Sequence, residues 1–178
     1  MTTKFKIFDI LQIVENIELK RAKFYVHVAM LFENSEPRDL CYSLAGRSQR
    51  YAKFWAEKRL QHSNETGDFG TFDPNDYIRS NPVVMAGLTN FGKSRGAISK
   101  FTGKESQEQI LRDTIRRSYE LKIFYEGLKD FSSDSETSFI IDKIICNENR
   151  YINVIGNLIK RTRERNSIKS NNTVTGIL

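Results

Sequence analysis

Proline stands at only three of the 178 positions, Pro37, Pro74 and Pro82, and this spacing constrains the fold more than any other feature. A proline inside a helix removes a backbone donor and clashes with the preceding turn, so helices end or kink where it falls. The chain before Pro37 and all of it after Pro82 lack proline, and only ten glycines occur. Both stretches therefore predict helices, and the protein is expected to be all-α.

Apolar periodicity places those helices. Between residues 5 and 33, Ile7, Ile10, Leu11, Val14, Ile17, Phe24, Tyr25, Val28, Leu31 and Phe32 recur at helical spacing, with Arg21 breaking the stripe. The run Asn34-Ser35-Glu36-Pro37 offers a turn, a capping residue and a proline in a first helical turn, so a second helix is expected from 37 to about 61. So short a connection makes the pair an antiparallel hairpin. A third helix is expected over 105–131, with Ile110, Leu111, Ile115, Tyr119, Ile123, Phe124 and Leu128 as its seam. After the polar turn at 132–136, a fourth is expected over about 138–165, carrying Phe139, Ile140, Ile144, Ile145, Tyr151, Ile152, Ile155 and Leu158.

Residues 62–104 differ, holding two of the three prolines and six of the ten glycines. A stretch that long suits a crossover from one end of a bundle to the other. Within it, residues 87–94 read Gly-x-x-x-x-Gly-Lys-Ser, the spacing of a phosphate-binding loop, but no strand precedes them, so a glycine-rich loop with a basic tip is expected instead. The expected organisation is one bundle over 1–165 and a flexible tail over 166–178.

Composition narrows the function classes. Lysine and arginine number 28 against 22 acidic residues, a formal charge of +6, and the excess gathers at Lys160, Arg161, Arg163, Arg165 and Lys169. Cations there suit the negative end of a helix dipole, and nucleic-acid binding through this segment is the functional alternative. No apolar run is long enough for a membrane span, and the N-terminus leads into an amphipathic segment. Cys41 and Cys146 stand alone, so neither a metal knuckle nor a disulfide framework is expected, and a cytoplasmic location follows.

The two hairpins repeat. Ile10-Leu11 matches Ile110-Leu111, Phe24-Tyr25 matches Phe124-Tyr125, Ser35-Glu36 matches Ser135-Glu136, and Arg50-Tyr51 matches Arg150-Tyr151, each one hundred residues later. In this alignment Glu18 and Ser118 each precede an aromatic pair by six residues. Ser48 with Tyr51, and Glu148 with Tyr151, lie three apart on one helical face.

This arrangement resembles the rubrerythrin and wider ferritin-like family, in which a Glu from each of two helices and a Glu-x-x-His from each of the other two hold a di-iron centre. The resemblance implies a ferritin-like four-helix bundle, two helical hairpins joined by a long crossover. Of six expected ligands, Glu18 and Glu148 remain. Serine stands at 48 and 118, and tyrosine at 51 and 151 replaces the histidines. Two carboxylates return half the charge of two divalent ions, so a degenerate centre is expected. Glu18, Ser48, Tyr51, Ser118, Glu148 and Tyr151 then form a polar core, with Arg21 and Lys122 as candidate cationic partners.

The leading expectation is a non-enzymatic interaction or structural protein, acting with a protein partner or a second copy. The rival is a rubrerythrin-like oxidoreductase holding iron or manganese through Glu18, Glu148, Tyr51, Tyr151 and Glu15. The C-terminal residues Thr173, Val174, Gly176, Ile177 and Leu178 look like the short apolar peptides by which ferritin-like cargo is captured in encapsulin shells, which implies a docking role for them.

Overall fold

In a computed structural model the chain is described at residues 4–70, 73, 76, 80 and 101–174, with side chains as far as 168. Four long helices make up the described part: α1 (Ile7–Ala29), α2 (Ser35–Thr66), α3 (Gln107–Leu128) and α4 (Ser135–Val174). None of them is long and apolar enough to cross a membrane.

Local chemistry explains the helix ends. The Asn34 side chain accepts from the Glu36 N–H, capping α2 at the expected turn. α2 runs beyond the expected end near 61, because its polar last turn meets no breaker until Gly67, which closes it at φ 71. Ser106 and Gln109 form a reciprocal capping box for α3. The Asp134 carboxylate accepts from the Thr137 N–H, so α4 starts at Ser135, ahead of the expected 138. α4 also continues through Val174, which corrects the expected break at 165. The segment has neither glycine nor proline before Gly176, and a helix nucleated by packing propagates cheaply through such residues. Thr173 and Val174 are thus helical, whereas Gly176, Ile177 and Leu178 lie outside the described residues, as does the glycine-rich 87–94 motif.

Contacts at the helix ends set the directions. Phe5, just before α1, donates its N–H to the Phe131 carbonyl at 2.7 Å and accepts from the Ser133 N–H at 2.9 Å, so α1 begins where α3 ends and α4 starts. The Gln107 amide reaches the Glu36 carbonyl, bringing the starts of α2 and α3 together. Arg163 of α4 meets Glu108 of α3. α1 and α4 therefore run one way and α2 and α3 the other. The end of α2 and the start of α3 thus lie at opposite ends of the bundle.

Burial repeats between hairpins. Ile10, Leu11, Val14, Ile17, Glu18, Arg21, Phe24, Tyr25 and Val28 are buried in α1, and the residues one hundred later are all buried in α3. Pro37, Cys41, Leu44, Ser48, Ala52 and Trp55 of α2 correspond in the same way to buried Thr137, Ile141, Ile144, Glu148, Ile152 and Ile155 of α4. Each hairpin thus offers the same face to the other, as the matched apolar seams require.

Candidate functional site

The core is not continuous. One apolar cluster gathers Ile10, Ile13, Trp55, Leu121, Phe124 and Ile144 around one end of the bundle. A second gathers Phe24, Val28, Cys41, Leu44, Ile110 and Ile155 around the other. Between them lies a polar layer made by Glu18, Arg21, Ser48, Ser118 and Glu148, each at most 5% exposed. The helical repeat produces it, because positions 18 and 21 share the α1 face of the apolar seam and 48 and 148 occupy the matching faces of α2 and α4.

Arg21 organises this layer. Its Nη2 donates to Glu148 Oε1 at 2.7 Å, and its Nη1 donates to Glu18 Oε1 at 3.2 Å and reaches Glu148 Oε2 at 3.5 Å. A guanidinium, planar and permanently charged, suits such a two-carboxylate cradle better than an ammonium does. Burial works against the charge on Arg21, but Glu148 and Glu18 outweigh it and hold its pKa well above the ordinary value. Burial raises the Glu18 carboxyl above its usual range, with Arg21 pulling the other way and Glu148 adding repulsion.

A second guanidinium completes the charge. Arg47 of α2 lies 3.4 Å from the Tyr151 ring centroid and 4.3 Å from that of Tyr51, stacked on both. It lowers the Glu18 pKa, though less than Arg21 does. Two arginines thus face two carboxylates, and the layer is formally neutral. Beside it a cavity of about 10 Å³, lined by Glu18, Arg47, Tyr125 and Glu148 among others, has room for one water molecule. Glu18 Oε2, Arg47 Nη1, Ser48 Oγ and Tyr151 Oη are buried without a hydrogen-bond partner of good geometry among the described residues.

The sequence-expected residues divide clearly. Glu18, Ser48, Tyr51, Ser118, Glu148 and Tyr151 do fall at the level of this layer, with Tyr51 half-buried and the others buried. The partner of the carboxylates, however, is Arg21, and among the described residues no hydrogen bond from a tyrosine hydroxyl reaches them. Burial pushes the Tyr151 hydroxyl up to about 12, so it stays protonated. Tyr25 alone among these core tyrosines has a hydroxyl donating to a side chain, Thr114 Oγ1 at 2.9 Å, and this contact was not anticipated. Glu15 is turned elsewhere, accepting from Arg59 Nε at 2.8 Å. Lys122 also lies off the layer, 4.0 Å from Glu126. Among the described residues no three or more His, Cys, Asp or Glu side chains gather as a metal site would require.

Sequence reasoning missed Arg47 and Arg117. Arg117 is 1% exposed, donates to Asp113 at 2.6 Å and lies 4.3 Å from the Phe24 ring centroid. A signal was present for both: Arg47 stands four before Tyr51, and Arg117 occupies the place of apolar Ile17 in the first hairpin. Comparison of the chain with family models, with curated proteins and with solved structures gives no match.

Proposed function

We propose that this chain is a ferritin-like bundle whose centre is held by its own guanidinium where the family holds metal, and that it acts as a non-enzymatic interaction or structural protein. The observation that carries this reading is Arg21 lying between Glu18 and Glu148. The donor set does not fit a di-iron group: two carboxylates facing the buried guanidinium of Arg21 and the neighbouring Arg47 return no net charge to a metal pair, and Arg21 occupies the space between them. The rival reading as an iron or manganese oxidoreductase needs Arg21 to leave and Glu15 to abandon Arg59. Exposed apolar side chains give the bundle surface for a protein partner or a second copy, among them Met30 at 70% and Ile123 at 67% exposure.

Metal analysis of protein purified without chelators tests the centre. Sub-stoichiometric iron and manganese, unchanged in Glu18→Ala, is the expected result. Stoichiometric metal that the variant loses would overturn the reading in favour of the oxidoreductase.

A second reading, nucleic-acid binding, is favoured by one observation. Residues 164–168 of α4 are exposed on every side, so the helix projects beyond the bundle after the Arg163–Glu108 contact, with Arg161 and Arg165 facing solvent. Binding of that kind weakens steeply with salt, and removing residues 160–178 should abolish it.

A further inference from the structure

A groove of about 480 Å³ opens between α2 and α4, outside the charged layer. Its size falls in the range of small-molecule sites. Buried Leu11 and Trp55, with Ile7 and Ile140, give it an apolar floor. Three cations stand along it: Lys58, Lys143 and Arg150. Lys58 bonds the Gln61 amide, Lys143 lies 4.5 Å from the Phe139 ring centroid, and none of the three has a carboxylate within ion-pair distance among the described residues.

The acids lining the groove sit apart from these cations. Glu65 is in the last turn of α2, where it accepts from Gln61, and Glu136 is in the first turn of α4. Since the two helices run in opposite directions, both acids lie at the bundle's end, and Lys143 and Arg150 lie one or more turns further in. Trp55 and Asn147 line both this groove and the small central cavity, so the groove reaches inward as far as the polar layer.

Unpaired cations above an apolar floor suit one chemistry. We propose that the groove binds an amphipathic organic anion, its apolar body lying on Leu11 and Trp55 and its acid group held by Lys143 and Arg150. Desolvating the apolar body supplies the attraction, and the two cations select for the charged head over a neutral one. A purely neutral apolar ligand would leave both cations desolvated without compensation.

The sequence supplies its own reporters. Trp55 is the sole tryptophan, and Cys146 is an exposed thiol lining the groove, whereas the other cysteine, Cys41, is buried. The probe is 1-anilinonaphthalene-8-sulfonate, compared with uncharged N-phenyl-1-naphthylamine, which has the same rings without the sulfonate. The anion should bind with saturable one-to-one stoichiometry, quench Trp55 by energy transfer, and slow the reaction of Cys146 with Ellman's reagent. Lys143→Glu with Arg150→Glu, both exposed positions, should weaken it by about tenfold or more while leaving the helical circular dichroism intact. Lys20→Glu, exposed on α1 outside the groove, should leave the affinity unchanged. Equal affinity for the two probes, an unaffected double variant, or binding that neither quenches Trp55 nor protects Cys146 would overturn the proposal.

Discussion

Arg21 Nη2 lies 2.7 Å from Glu148 Oε1, joining residues 127 apart in sequence across the polar layer that divides the core. Glu18 shares the same guanidinium through a longer contact of 3.2 Å. The pair is buried on both sides, so each member depends on the other for solvation that water no longer provides.

Breaking that pair should be costly. Arg21→Leu leaves two buried carboxylates with Arg47 as their one remaining cation and removes their hydrogen bonds to a guanidinium, and Glu148→Ala takes away the closer of the two partners of Arg21. Each should destabilise the fold by about 3 to 5 kcal/mol in urea melts. Leucine is what α3 carries at the equivalent position 121, and serine stands at 118 and 48 opposite the two acids. The triple change Glu18→Ser, Arg21→Leu, Glu148→Ser should therefore be less damaging than Arg21→Leu alone. A triple variant weaker than the single would show that charge pairing is not what holds the layer.

The pH dependence follows from Glu18. Burial raises its carboxyl above the usual value of 4.5, so the folded state holds this proton more tightly than the unfolded state does. Its stabilising contribution is complete below about pH 4.5 and is lost as pH rises through the raised folded value. Glu18→Gln lacks this titration and keeps an oxygen for Arg21. The stability of wild type relative to Glu18→Gln should thus fall as pH rises above about 4.5. Denaturant melts in which wild type gains on the variant across that range would contradict the shift.

Two buried tyrosines, Tyr25 and Tyr151, should respond differently to substitution. Tyr25→Phe removes the hydrogen bond to Thr114 and should cost about 1 kcal/mol. Tyr151→Phe removes a hydroxyl with no partner among the described residues and should change stability by less than about 0.5 kcal/mol. Tyr151→Ala also removes the ring on which Arg47 stacks and leaves a cavity, so about 3 to 5 kcal/mol is expected. Thermal or urea melts of the three variants would check the order, and a large loss in Tyr151→Phe would contradict it.

Glycines at positive φ separate conformation from contact. Gly67 ends α2 at φ 71 with no neighbour near a built Cβ, so Gly67→Ala should cost about 1 kcal/mol from backbone strain alone. At Gly103, φ is 81 and a Cβ would collide with the Leu31 carbonyl oxygen, which ties the chain entering α3 to the end of α1. Gly103→Ala should cost more than Gly67→Ala, and equal melts would show that this approach is not close in solution.

Much of the bundle was legible in the sequence because its signals are local. Proline placement, the 3.6-residue apolar seam and the Asn34 cap depend on neighbours within a turn or two, and they located four helices. The repeat at one hundred residues was also legible, since two hairpins presenting like faces must bury like positions. Helix ends were less so: α4 passes 165 to Val174 because nothing in the intervening residues breaks a helix already anchored by packing. The acids and hydroxyls read from the sequence are buried, Tyr51 partly, and Arg21 and Lys122 were both candidate partners for them, but which of the two cations meets the acids was decided only in three dimensions. Arg21 stands three residues after Glu18, whereas Lys122 stands four after Ser118, and that one-residue difference rotates the side chain by about 100° around the helix. Arg21 consequently points across the core to α4, and Lys122 stays beside Glu126. Arg47 reached the layer by stacking on Tyr51 and Tyr151, a geometry set by the separation of α2 and α4. Such pairings join helices that are distant in sequence, and only the packed bundle fixes the distances on which Coulomb attraction and hydrogen bonding depend.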